Sequence, residues 1–152
     1  LTSNENLQKI IYKTFQDPIG DLLLKQSNLT RVQFETLIID LLTDILSDKK
    51  LSFHEKSLFR KEKVSRGSFS RTLAQARSSV ISSIFTIVLL SYIGVFDKPF
   101  EEYQQLAEKL RDYIEIIEKN RERRSPLMLK RLEEELLAGI KALSKPTSLK
   151  VM

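Results

Sequence analysis

From Ser78 to Phe96 the chain runs nineteen residues without a charge, SSVISSIFTIVLLSYIGVF, directly after a strongly basic stretch. Length alone makes the run a membrane-span candidate, since a bilayer core takes about 20 apolar residues to cross. Six hydroxyl side chains dilute it, however: Ser78, Ser79, Ser82, Ser83, Thr86 and Ser91. A span here would also drag Arg71 and Arg77 to the lipid interface. The pattern therefore predicts a long buried central helix, apolar on most faces, in a protein with no membrane association. Gly94 and the following Asp97-Lys98-Pro99 predict its end.

A helix of that kind needs other helices to bury it, and the composition agrees. Four Gly and four Pro in 152 residues, with abundant Leu, Ile, Lys and Glu, favour an all-α fold. The length suits one domain, or a compact core with an appendage. The absence of cysteine excludes a disulfide framework, a thiol nucleophile and a thiolate metal site. His54 is the only histidine, which removes His-pair metal motifs, and it reads as a solvated surface residue. No glycine-rich phosphate loop, paired carboxylates or base-activated nucleophile stands out, so no enzyme, metal or cofactor is expected. Ser65 and Ser68 beside Arg66 have simpler roles than strand transfer. The chain opens on Leu rather than Met, which reads as a trimmed or processed piece, and no secretory signal pattern is visible.

The net charge is +5, but it is concentrated. Lys49, Lys50, Lys56, Arg60, Lys61, Lys63, Arg66, Arg71 and Arg77 face only Glu55 and Glu62, so this segment carries +7 and the remainder −2. A local field of that sign suits a polyanion, whose phosphates supply most non-specific affinity.

In chain order, Leu7, Ile10, Ile11 and Phe15 share one face of a first helix, with Ser3 as a candidate cap. Asp17-Pro18 breaks it and starts a short helix to Lys25 that buries Ile19, Leu22 and Leu23. Thr30 to Gln33 fits a capping box. The helix it opens places Phe34, Leu37, Ile38, Leu41, Leu42 and Ile45 inward and Asp40 and Asp44 on the opposite face. Ser52 to Glu55 forms a second capping box. Its helix directs Phe53, Leu58 and Phe59 inward and Lys56, Arg60, Lys61 and Lys63 largely outward.

Next comes Val64-Ser65-Arg66-Gly67-Ser68-Phe69-Ser70-Arg71-Thr72-Leu73. Ser65 is placed to cap a helix, with Val64 and Phe69 as a hydrophobic staple. The segment resembles the V-S-x-x-T-V-S-R-x-L pattern that opens the recognition helix of many prokaryotic helix-turn-helix repressors. The resemblance covers about 20 residues, within a helix-turn-helix unit at about 52–77. It implies a helix N-terminus in the major groove, with Arg66, Ser68, Ser70, Arg71 and Gln75 as base-reading residues. Lys56, Arg60, Lys61, Lys63 and Arg77 would then contact phosphates. The first half departs from the family. Phe59 stands where a small residue is usual, Lys63 where glycine is usual, and Glu62 where the pattern is apolar, which calls for a longer or more open turn. An ordinary helical hairpin with a solvated basic face is the plainer alternative.

Beyond Pro99, Tyr103, Leu106, Leu110, Tyr113 and Ile117 recur at 3-4-3-4 spacing, the seam of a short coiled coil. Ser125-Pro126 opens a last helix whose stripe includes Leu129, Leu132, Leu136, Leu137, Ile140 and Leu143. These two helices are candidates for a dimerisation arm or a protein partner's docking site; folding back on their own core is the alternative.

The sequence thus predicts an all-α protein with a helical DNA-binding domain over 1–97 and a C-terminal helical hairpin or coiled-coil arm over 98–152. The expected function is double-stranded DNA binding by a homodimeric, cytoplasmic and nucleoid-associated protein, of the transcriptional-regulator or plasmid- or virus-encoded kind. The alternative is a non-enzymatic helical module whose basic face binds an acidic protein or RNA.

Overall fold

The computed structural model describes residues 3–95, 99–119 and 126–143, and among them the chain is all-α. Seven helices follow one another: α1 (Ser3–Phe15), α2 (Pro18–Gln26), α3 (Arg31–Leu46), α4 (Phe53–Ser57), α5 (Arg66–Ile93), α6 (Pro99–Lys119) and α7 (Pro126–Leu143). The chain forms two compact units, 1–83 and 84–152, so α5 contributes to both.

Local chemistry sets the helix starts in the first unit. The Asp17 carboxylate accepts from the Ile19 N–H, and Pro18 occupies the first helical position, where its missing N–H costs nothing. Thr30 and Gln33 form the predicted capping box on α3, and Ser52 and Glu55 form the one on α4.

The core of this unit is built on Leu7 and Ile11 from α1, Ile39 from α3, and Phe69 and Leu73 from α5. Phe15, Leu37, Leu42, Phe53, Phe59 and Val64 pack around that cluster. Two aromatic pairs, Phe15–Phe34 and Phe53–Phe69, lie with ring centroids 6.2 and 6.1 Å apart, within the usual range for tilted rings.

Several sequence expectations are corrected here. On α3, Leu41 and Ile45 face solvent, at 51% and 65% exposure, while the inner face carries Thr36, Ile39, Asp40 and Thr43. Thr36 and Thr43 return their hydroxyl protons to the carbonyls of Val32 and Ile39, so they are buried without an unmet donor. Asp40 is buried because cations from two other elements meet it there. Ile10 and Leu23 are exposed as well, so only Leu7 and Ile11 of α1 and Ile19 of α2 are buried.

The uncharged run is helical but is not a buried central helix. Ile81, Ile84, Phe85, Val88, Leu89, Tyr92 and Ile93 all lie exposed. By length and composition α5 is long and apolar enough to cross a membrane, and little of its apolar window is covered. Nineteen uncharged residues establish the apolarity of the helix and leave open what covers it. Gly94 ends α5 in the left-handed region, at φ 91°, which glycine adopts without strain.

In the second unit Leu110, Leu132 and Leu136 are buried. Together with Leu106 and Tyr113 they line one groove of about 420 Å³ between α6 and α7.

Candidate nucleic-acid interface

The basic segment divides into two groups with different environments. Its first part forms α4, which stops at Ser57 and does not continue to Lys63. A tightened turn follows, in which the N–H groups of Phe59 and Arg60 reach the carbonyls of Lys56 and Ser57. The chain then crosses through Leu58–Ser65 to the start of α5, and Leu58, expected inward, is 67% exposed.

This path turns Lys56 and Arg60 into the protein. Lys56 is 3% exposed, and its ammonium lies 2.8 Å from Asp40 and 2.5 Å from Asp44. Burial alone would lower its pKa; the hydrogen bonds to the two carboxylates outweigh that and hold it above the ordinary lysine value. The Arg60 side chain is 5% exposed. Its Nη1 donates to the Val32 carbonyl and to Thr36 Oγ1, both at 2.9 Å, and Nη2 stands 3.7 Å from Glu35. Neither residue is available to a phosphate, so both assignments as phosphate contacts are corrected. Arg77 is intermediate: it remains 55% exposed but donates a 2.6 Å hydrogen bond to Asp40. Lys49 pairs with Glu55 at 3.2 Å. Hydrogen bonds from the backbone and hydroxyl of Ser52, then from Lys49, hold the Glu55 carboxyl below its usual range.

Asp40, Asp44, Glu35 and Thr36 are thus the residues that sequence reasoning missed. A signal existed. Thr36, Asp40 and Thr43 recur at helical spacing and form a polar stripe on the face opposite Leu41 and Ile45.

The second group stays outside. Lys61 and Lys63 in the link, and Arg66, Arg71 and Gln75 on α5, are exposed; Ser68 and Ser70 are half-buried. Lys61, Lys63, Arg66 and Arg71 make no ion pair among the described residues. Ser65 Oγ accepts the Ser68 N–H at 3.1 Å, which caps α5. Phe69, Leu73 and Ala76 fix the buried side of the helix. The opposite side carries Gly67, Arg71, Ala74, Gln75 and Ser78, all exposed. Gly67, Ala74 and Ser78, which share this side with Arg71 and Gln75, add little side-chain bulk to it.

An open groove of about 480 Å³ is lined by residues of α1, α3 and the link after α4, among them Ile11, Tyr12, Phe15, Arg31, Arg60 and Lys61. Arg31 and Arg60 both face Glu35, and Arg31 also pairs with Asp21, so their charge is largely spent within the protein. Among the described residues no cluster of metal-ligating side chains occurs.

The dimerisation candidates are distributed unevenly. Leu110, Leu132 and Leu136 are buried within the chain, Tyr103 and Leu106 are half-buried, and Tyr113 is 46% exposed. The side chains of Ile117 and Leu129, and the cap at Ser125, lie outside the described residues. No protein-family model, curated protein or solved structure matches the chain.

Proposed function

We propose that this chain binds double-stranded DNA through the N-terminal part of α5 and the link before it. The carrying observation is the segregation of its cations. Lys56 and Arg60 are spent on Asp40, Asp44 and Glu35, and Arg77 is half spent, whereas Lys61, Lys63, Arg66 and Arg71 are exposed and without acidic partners. Unpaired cations close together in sequence, four against the single exposed Glu62, repel one another, and a polyanion relieves that repulsion by exchanging bound counterions for the protein's charges.

The shape of the helix supports duplex DNA as the polyanion. A B-form major groove admits one α-helix, and the low-bulk surface around Gly67, Ala74 and Ser78 suits a close approach. Arg71 and Arg66 then reach guanine edges, Gln75 an adenine, and Ser68 and Ser70 contribute shorter contacts. Lys61 and Lys63 take phosphates and hold the register. The role that follows is that of a DNA-binding regulator or a plasmid- or virus-type DNA-binding protein, acting in the cytoplasm with the nucleoid and without catalysis.

Fluorescence anisotropy on labelled duplexes tests the roles separately. Arg71→Ala is expected to reduce discrimination between sequences. Lys61→Ala is expected to weaken all sequences alike and to flatten the salt slope by about 1. Equal effects from both substitutions contradict a sequence-reading helix. Tight binding to an acidic protein or RNA, with indifference to duplex DNA, overturns the proposal.

A further inference from the structure

The C-terminal half of α5 is apolar on the side its own chain leaves uncovered. Ile81, Ile84, Phe85, Val88 and Tyr92 are 53%, 47%, 68%, 46% and 71% exposed. At 3.6 residues per turn these five positions fall on one face, with Leu89 and Ile93 along its edge. Within that face Ile81, Phe85, Val88 and Tyr92 follow one another at 4-3-4, the spacing with which two helices interlock. We propose that this face is a homodimer interface, in which α5 of one chain packs against α5 of a second copy.

Three observations select a second copy as the occupant. The first is charge. No ionisable acid or base other than the Tyr92 phenol occurs from Ser78 to Val95, so two identical faces meet without burying like charges. A partner recognised by charge has nothing to hold on this surface. The second is area. Seven large apolar residues at 40–71% exposure offer on the order of several hundred Å² per chain, the scale of the ~800 Å² each partner contributes to a standard stable interface. The third is what already holds the helix. Arg77 bonds to Asp40 on α3, and Ser83 Oγ lies 3.3 Å from the Asn28 amide in the loop before α3. The first unit therefore holds α5 as far as Ser83. The ten residues Ile84–Ile93 that remain span about 15 Å, half of the ~30 Å hydrocarbon core, so a bilayer-crossing role fits poorly.

Phe85, Val88 and Tyr92 lie in the half of α5 remote from Arg66 and Arg71, so substitutions there separate self-association from DNA binding. Sedimentation velocity on the full chain at micromolar concentration is expected to show a dimer. Phe85→Glu is expected to convert it to a monomer with unchanged helical circular dichroism, since Phe85 is not part of the buried core. Because the chain has no cysteine, single cysteines report contacts directly. Under mild oxidation Phe85→Cys or Val88→Cys is expected to give a disulfide-linked dimer, and Gln104→Cys on α6 is not. A monomeric wild-type chain overturns the proposal, as does a dimer that Phe85→Glu leaves intact. Flotation of monomeric protein with phosphatidylcholine–phosphatidylglycerol vesicles, abolished by Phe85→Glu, also overturns it and assigns the face to a lipid surface.

Discussion

Lys56 Nζ lies 2.8 Å from Asp40 Oδ1, and the two side chains are only 3% and 8% exposed. Asp40 also accepts a 2.6 Å hydrogen bond from Arg77 on α5, so one carboxylate joins α3, α4 and the long helix. A buried ion of this kind gains little over an apolar substitute, but removing one partner leaves the other desolvated and unpaired. The arrangement ties α4 and α5, at Arg77, to α3.

Replacing Asp40 is accordingly expected to be costly. Asp40→Ala strands the Lys56 ammonium with Asp44 alone, and the unfolding free energy should fall by about 3–5 kcal/mol. Urea titration followed by circular dichroism measures it. The simultaneous change of Asp40 and Lys56 to leucine and methionine should recover most of the loss.

The same pair makes stability depend on alkaline pH. The Lys56 pKa is higher in the folded protein than its ordinary 10.5, so its contribution is complete below that value. It disappears as the pH climbs through the folded pKa. As the pH rises from about 9 through and beyond the ordinary lysine value, the wild-type urea midpoint should therefore fall more than that of Lys56→Met. Parallel curves for the two proteins contradict the assignment.

Arg60 and Arg71 should behave as opposites. Arg60→Met loses hydrogen bonds to the Val32 carbonyl and Thr36, and stability should drop by about 1.5–3 kcal/mol while the salt dependence of DNA binding stays unchanged. Arg71→Ala should leave the urea midpoint within about 0.5 kcal/mol of wild type and reduce DNA affinity. Stability and binding measured on both variants separate a structural cation from a contacting one.

Ser65 tests the start of α5. Its hydroxyl oxygen accepts the Ser68 N–H, and Ser65→Ala should cost about 1 kcal/mol by loss of the cap. Ser65→Asp should retain stability, since aspartate caps equally well, yet weaken DNA binding by placing a negative charge beside Arg66. Loss of binding with Ser65→Asp but not with Ser65→Ala locates the phosphates near this end of the helix.

Much of the fold was legible because its signals are local. The capping boxes at Thr30 and Ser52, the break at Asp17-Pro18 and the cap at Ser65 depend on atoms a few residues apart, and the sequence displays them. The errors arose where a face had to be assigned. α3 carries apolar residues on both sides, and hydrophobicity favours Leu41 and Ile45 for the core. The buried side is nonetheless the one bearing Asp40, because Lys56 and Arg77, distant in sequence, neutralise it there. Counting Lys56 and Arg60 with the basic surface failed for the same reason. A charge tally cannot separate cations that meet carboxylates in the fold from cations that meet water. For α5 the apolar run was read correctly as a helix, but its burial depended on a covering element that unit 1 does not provide beyond Ser83.

The most direct test of the central claim is a salt titration of DNA affinity for the wild type, Arg71→Ala and Lys56→Met. Anisotropy on a pool of duplex fragments, from low to near-physiological salt, gives affinity, slope and sequence preference together. Exposed cations on α5 as the contacting group predict sub-micromolar wild-type binding that survives for a subset of fragments. Arg71→Ala should flatten that preference by about five- to 150-fold, the effect of losing one base contact, and folded Lys56→Met should match the wild-type slope. Binding that vanishes uniformly with salt, or a slope that folded Lys56→Met reduces by about 1 as loss of a phosphate contact would, contradicts it.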